Sequence, residues 1–154
     1  MDTGAAIEFP PRWNDLAVVN GCFDPPTPGH AELVHEATKL TPLVVVLMNS
    51  DRWVRDSKPV RPDGRPRPFM PFLERAYIVG RWKGVAAVIE FGTEDELLSQ
   101  LSRLRPRYLV KGNDYIGKPV TGALILPNWG GELVFTNRSY DGCATKLGVD
   151  TSGG

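Results

Sequence analysis

Apolar residues along this chain fall in short runs, each broken by glycine, proline or a polar cluster. Leu16-Ala-Val-Val19 is closed by Asn20-Gly21, and Leu43 to Met48 reads LVVVLM. Ala87 to Phe91, Tyr108-Leu-Val110 and Glu132 to Thr136 complete the set. Runs this short and this rich in valine and leucine predict buried strands. Between them the apolar spacing changes to that of helices. Leu33, Val34, Ala37 and Leu40 share a face after His30, and Leu73, Ala76, Tyr77 and Gly80 share one after Pro71. Thr93-Glu-Asp-Glu96 has the form of a capping box ahead of Leu97, Leu98, Leu101 and Leu104. Strand alternating with helix predicts an α/β domain, a mainly parallel five-stranded sheet with helices on both faces. Such sheets bind ligands at the carboxyl ends of their strands. The Gly21 turn, the Asn49-Ser50-Asp51 turn and the Lys111-Gly112 turn all fall on that edge.

A chain of 154 residues suits one domain. Its expected bounds are 16–147, with 1–15 an N-terminal extension and 148–154 a flexible tail. Hydrophobic residues make up 42% and charged residues 23%, a globular rather than disordered balance. Eighteen basic side chains offset eighteen acidic ones, so no overall field points to nucleic acid or to a membrane as partner. No apolar stretch approaches the ~20 residues that span a bilayer, and the N-terminus lacks the form of a signal peptide. The two cysteines, Cys22 and Cys143, are too few for a disulfide scaffold. They read as reduced thiols in a cytoplasmic protein.

The stretch NGCFDPPTPGH, residues 20–30, carries the most chemistry. Gly21 permits a tight exit from the first strand and a close approach of ligand to backbone. A helix starting near His30 aims its free N–H groups and positive dipole end at that turn, which suits a phosphate. Thr27 adds a hydroxyl and His30 an imidazole. Taken alone, a Gly-His pair more often only caps a helix. Residues 52–67 hold six basic against two acidic side chains, which alone reads as a solvated loop and beside a phosphate site reads as a mobile source of cations. Arg75 lies on a helix whose apolar face turns inward, which taken alone reads as a surface arginine. Lys111, emerging after a strand beside Gly112, reaches toward the same edge. His35 reads as a surface residue, and the four tryptophans form no stacking platform. There is no nucleophilic triad and no protein-only metal cage, so no residue is assigned to a metal.

Gly21, Phe23, Asp24, Thr27, Gly29 and His30 resemble the signature G-x-F-D-x-x-[HT]-x-G-H of the HIGH-superfamily nucleotidyltransferases. Threonine at the first catalytic position is similar to the phosphopantetheine adenylyltransferase branch. The remaining motifs resemble the adenylyltransferase domain of ADP-heptose synthase. They are Asn49-Ser50-Asp51 with Val54 and Lys58, then Arg67-Pro68, Pro71 and Glu74-Arg75, Leu109-Val-Lys-Gly-Asn-Asp-Tyr115, Gly130-Gly-Glu-Leu133 and Asp141-Gly-Cys143. The family's S-T-T becomes Ala144-Thr145-Lys146, and Ala86 stands where the family has an aspartate. The resemblance covers about residues 16 to 147.

That resemblance implies a single Rossmann-like domain that transfers a nucleoside monophosphate from an NTP to a phosphorylated sugar or alcohol, releasing pyrophosphate. ATP with heptose 1-phosphate fits best; CTP with glycerol 3-phosphate is the alternative, and a nucleotide-binding module without turnover is a second. The implied catalytic residues are His30, Thr27 and Lys58. Gly21, Cys22, Phe23, Asp24, Gly29, Lys111, Gly112, Asp114 and Gly142, Cys143, Ala144 and Thr145 would hold the nucleotide. Asn49, Asp51, Arg75, Tyr115 and Arg138 would hold the acceptor. Mg²⁺ would arrive with the NTP, and the resemblance favours a homodimer.

Overall fold

A computed structural model describes residues 15–137. Its strands are β1 (Leu16–Gly21), β2 (Leu43–Asn49), β3 (Val85–Phe91), β4 (Tyr108–Gly112) and β5 (Glu132–Thr136). They form one sheet in the order β3-β2-β1-β4-β5, and every neighbouring pair is parallel. The helices are α1 (Pro28–Thr38), α2 (Asp51–Ser57), α3 (Phe72–Val79) and α4 (Glu94–Leu104), with 3-10 turns at Asn113–Tyr115 and Ala123–Trp129. The strands expected from sequence are all present, β1, β2 and β4 running further toward their carboxyl ends and β3 starting earlier.

Strand alternation divides the core in two. Ala17 and Val19 of β1, Val44, Val46 and Met48 of β2 and Val110 of β4 face α1 and α3, where Val34, Ala37 and Val79 meet them. Leu16 and Val18, Val45 and Leu47, and Leu109 face the other way, onto Leu97 and Leu101 of α4 and Leu126. The two-sided burial explains why these strands read as unbroken apolar runs. Among the described residues no helix is long and apolar enough to cross a membrane.

Two expectations about helices are corrected. Residues 52–67 are not one loop, because α2 takes the first part of them. Ser50 caps it, its hydroxyl accepting from the Trp53 N–H at 3.2 Å. On α3, Leu73 and Tyr77 are 78% and 62% exposed, while Arg75 and Val79 are buried. The inward face is therefore Phe72, Arg75, Ala76 and Val79, and an arginine stands in phase with the core. α4 is capped as expected at Thr93, whose hydroxyl accepts from the Glu96 N–H. The Glu96 carboxylate reaches one residue further back, to the Gly92 N–H at 2.6 Å.

Leu101 is fully buried where α4 meets the sheet. Leu101→Ala removes that contact and leaves a cavity, and should cost about 2–5 kcal/mol of stability in denaturant titrations. A loss below about 1 kcal/mol would mean that α4 does not hold this half of the core.

Candidate active site

The site is built at the carboxyl edge of β1, β2 and β4. The chain leaves β1 through Cys22, Phe23 and Asp24, and the sharp turn there is at Phe23, whose φ is 52°. This corrects the expectation that Gly21 makes the turn; Gly21 is the last, buried residue of the strand. A non-glycine residue in the left-handed region is sparsely populated and persists only where its surroundings hold it. Here the Phe23 ring is 2% exposed, with its centroid 4.9 Å from that of His30 and 6.3 Å from that of Trp82.

Thr27 and His30 form the first turn of α1 together. The Thr27 hydroxyl accepts from the His30 N–H at 3.3 Å, and His30 Nδ1 accepts from the Thr27 N–H at 3.1 Å. Histidine thus takes the place that glutamate or glutamine fills in a capping box. A ring nitrogen that accepts a backbone N–H carries no proton, so the proton of the neutral ring sits on Nε2. The cap thus selects the tautomer of the ring. Gly29 is buried in the same turn.

Asp24 is 4% exposed, and its carboxylate accepts from the N–H groups of Phe69 and Met70, both at 2.9 Å. Arg75 is fully buried. Its Nε donates to Met70 O, one terminal nitrogen donates to Cys22 O and Asn49 O at 2.7 and 3.0 Å, and the other pairs with Asp51 at 2.6 Å. The surface position allowed for Arg75 is excluded, and four of its five donors are spent on the protein. Asp24, Asp51 and Arg75 thus join the turn after β1, the end of β2, the start of α2 and the segment before α3.

Cations collect around this frame. Lys58 follows α2 directly, and Arg67, 4% exposed, donates to Pro59 O. Burial raises the Cys22 thiol above its usual range, while the charges of Lys58, Arg75 and Arg67 pull it back. Lys111 lies within β4 rather than after it and is 6% exposed. Burial lowers its ammonium to about 8, against the opposing pull of Asp114, and the charge of Lys58 lowers it too. Burial and a second cation thus both disfavour the charged form of Lys111.

A cavity of about 210 Å³ opens on the α4 side of this edge. Asn20, Asn49, Trp53, Glu94, Lys111 and Tyr115 line it. Asn20, Asn49 and Lys111 each continue the strand face that carries Val18, Leu47 and Leu109 inside the core, so that face turns polar at its last residue. The Lys111 Nζ lies 4.5 Å from the centre of the Tyr115 ring. Trp53, set at an angle against Phe91, forms an aromatic wall, although the described tryptophans form no common platform. The sequence reading missed Asn20, Trp53 and Glu94; strand periodicity alone would have placed Asn20. Gly112 ends β4, and Asp114 and Tyr115 lie in the 3-10 turn after it. Arg138, Gly142, Cys143, Ala144 and Thr145 lie outside the described residues.

A profile of cytidylyltransferase-like proteins matches residues 18–137. The chain belongs to the cytidylyltransferase-like family. Two relatives carry the name bifunctional protein HldE. That of Koribacter versatilis is 38% identical over 145 residues, 92% of this chain and 29% of the relative. That of Acidiphilium cryptum is 37% identical over 134 residues, 84% of this chain and 26% of the relative. The chain thus spans under a third of the length of these relatives. Among solved structures, the lipopolysaccharide core biosynthesis protein of Thermoplasma volcanium superposes with a TM-score of 0.62 at 21% identity, covering 82% of this chain and 98% of that one. The shared fold is the Rossmann-like nucleotidyltransferase sheet.

Two predictions follow from the buried cations. Lys111 keeps its usual value near 10.5 when unfolded and about 8 when folded, so the unfolded chain binds the extra proton between those values. Stability from this group therefore rises as pH climbs from about 8 to 10.5, by ~3 kcal/mol over the whole window. Lys111→Met should be more stable than the parent at pH 7, by up to that amount, and the gap should close toward pH 10.5. Parallel stability curves for the two proteins would sink this account of Lys111. Arg75→Lys keeps the charge but cannot reach three carbonyls and a carboxylate at once. It should cost about 3–5 kcal/mol in denaturant titrations, as for one partner lost from a buried ion pair. A change below about 1 kcal/mol would mean that Arg75 does not tie the site together.

Proposed function

We propose that this nucleotidyltransferase-family chain transfers the adenylyl group of ATP to a phosphorylated sugar of the heptose 1-phosphate type, releasing pyrophosphate. The observation that carries the reading is the Thr27–His30 pair at the start of α1, next to the signature turn whose Cys22 interacts with the charges of Lys58 and Lys111. The HldE relatives support the choice of sugar phosphate, and the signature supports the choice of reaction.

In the proposed reaction an oxygen of the acceptor's phosphate attacks the α-phosphorus, and the bond to the β-phosphate oxygen breaks. The electron pair leaves with pyrophosphate. His30 Nε2–H donates to an α-phosphate oxygen as charge builds there, and Lys58 neutralises the departing phosphates. Thr27 positions His30. Asp24 and Arg75 act through the frame and touch no substrate, a reassignment of the roles given them above. No covalent step is asked of the protein, so positioning and charge carry the rate. A resident Mg²⁺ does not fit the described residues, which bring no three His, Cys, Asp or Glu side chains together. The cation belongs with the phosphates of the NTP, where it would supply further charge neutralisation.

The test is pyrophosphate release with ATP or CTP against heptose 1-phosphate or glycerol 3-phosphate. Turnover with ATP and the sugar phosphate is expected; turnover only with CTP and glycerol 3-phosphate would overturn the substrate assignment, and none at all would overturn the activity. On the active pair, two histidine variants separate cap from chemistry. His30→Asn keeps an acceptor where Nδ1 stood but loses the distal donor, so it should retain stability and lose about 10²–10³ in turnover. His30→Gln places its amide nitrogen near the position of Nε2 and should keep more of the rate. If both variants turn over like the parent, His30 is only a cap.

A further inference from the structure

We infer that the α4-side cavity is the acceptor pocket, that Lys111 holds the acceptor's phosphate there, and that Trp53 with Glu94 and Asn20 selects a ring-shaped sugar over a short polyol. This rests on the nucleotidyl-transfer reading and deepens it. It moves Lys111 from the nucleotide to the acceptor.

At about 210 Å³ the cavity is smaller than the ~300–1,000 Å³ of drug-sized ligand sites, which suits a small acceptor. It lies on the sheet face opposite α1, so an occupant there and a triphosphate over the α1 N-terminus reach the same strand edge from two sides. That brings the two reactants together at one edge. The lining divides by chemistry. The Trp53 ring, braced edge-on by Phe91, gives an apolar surface that suits the C–H face of a pyranose. Asn20, Asn49 and Glu94 give planar amide and carboxylate groups that bond to hydroxyls. The Asn20 Oδ1 is enclosed and accepts no hydrogen bond from the protein. A buried acceptor left that way costs stability unless something donates to it. A sugar hydroxyl is such a donor. Glu94 is held at the rim by a bond from the Thr121 hydroxyl at 3.1 Å, which fixes one carboxylate oxygen. Lys111 is the one cation among the residues that line the cavity. It stands on a strand, where packing fixes its stem.

Glycerol 3-phosphate would satisfy Lys111 and leave the Trp53 surface uncovered. A sugar phosphate covers both. Selectivity between the two acceptors is therefore assigned to Trp53, and affinity for either to Lys111.

The test measures KM for heptose 1-phosphate and the dissociation constant of ATP in the parent, Trp53→Ala and Lys111→Met. Trp53→Ala should raise the sugar-phosphate KM about tenfold or more while leaving ATP binding within twofold. Lys111→Met should raise KM for both heptose 1-phosphate and glycerol 3-phosphate. Quenching of tryptophan fluorescence by heptose 1-phosphate, with a non-hydrolysable ATP analogue present, reads the pocket without turnover and should be lost in Trp53→Phe. Active variants whose acceptor KM is unchanged, or whose ATP binding weakens instead, would overturn the pocket assignment and leave the proposed reaction standing. If no NTP and acceptor pair turns over, the fluorescence titration alone decides. Quenching that requires Trp53 and Lys111 supports the pocket, and its absence in the parent overturns it.

Discussion

A buried guanidinium holds this site together. Arg75 is withdrawn from water completely, and a charge in that position persists only when it is paired and its donors are used. Its partners are Asp51 and three backbone carbonyls, from Cys22, Asn49 and Met70. Those carbonyls belong to the turn after β1, the end of β2 and the segment leading into α3. One side chain thus ties the segment leading into α3 to the ends of two neighbouring strands. Asp24 works in the opposite polarity, its carboxylate accepting from the backbone of the same incoming segment. An aspartate that reads as a phosphate neighbour is better understood as a latch, since an anion beside phosphate would repel it.

Within that frame the two faces of the sheet receive different work. On the α1 face the turn at Phe23 brings the backbone to the helix N-terminus, and the capping pair sets the proton of His30 on the nitrogen that points away from the cap. On the α4 face the strands stop being apolar at their final residues and open into the cavity. Lys58, which follows α2, is close enough to Lys111 on the α4 face to alter its proton affinity. The depressed lysine costs stability that a bound anion would offset, so on the proposed reading stability and function are opposed at this residue.

Much of the fold was legible in the chain. Five apolar runs became five parallel strands. The three central ones, β1, β2 and β4, are buried on both faces, which is what such runs signify. β3 and β5, at the sheet edges, are mostly half-buried or exposed. The signature residues also came together as their spacing suggested, at one edge and beside one helix end. Arg75 was not legible in this way. Leu73 and Tyr77 share a helix face and look like the core side, yet the helix presents Phe72, Arg75 and Val79 inward, and an arginine in that phase breaks the pattern from which the face is read. α2 was missed because a seven-residue helix with one buried side chain, Val54, leaves almost no periodic signal. Trp53 escaped for the same reason: its partners in the cavity, Asn49 excepted, lie more than thirty residues away in the chain. Asn20 could have been found, since it continues the Leu16 and Val18 face of β1 by simple alternation.

The central claim is that the two substrates meet at this edge from opposite faces of the sheet. A crystal structure with a non-hydrolysable ATP analogue and heptose 1-phosphate tests it most directly. The account predicts the triphosphate over Cys22 to Asp24, an α-phosphate oxygen within hydrogen-bond distance of His30 Nε2, and the sugar against Trp53 with its phosphate on Lys111. A nucleotide seated in the α4-side cavity, or a sugar phosphate bound on the α1 face, would contradict it.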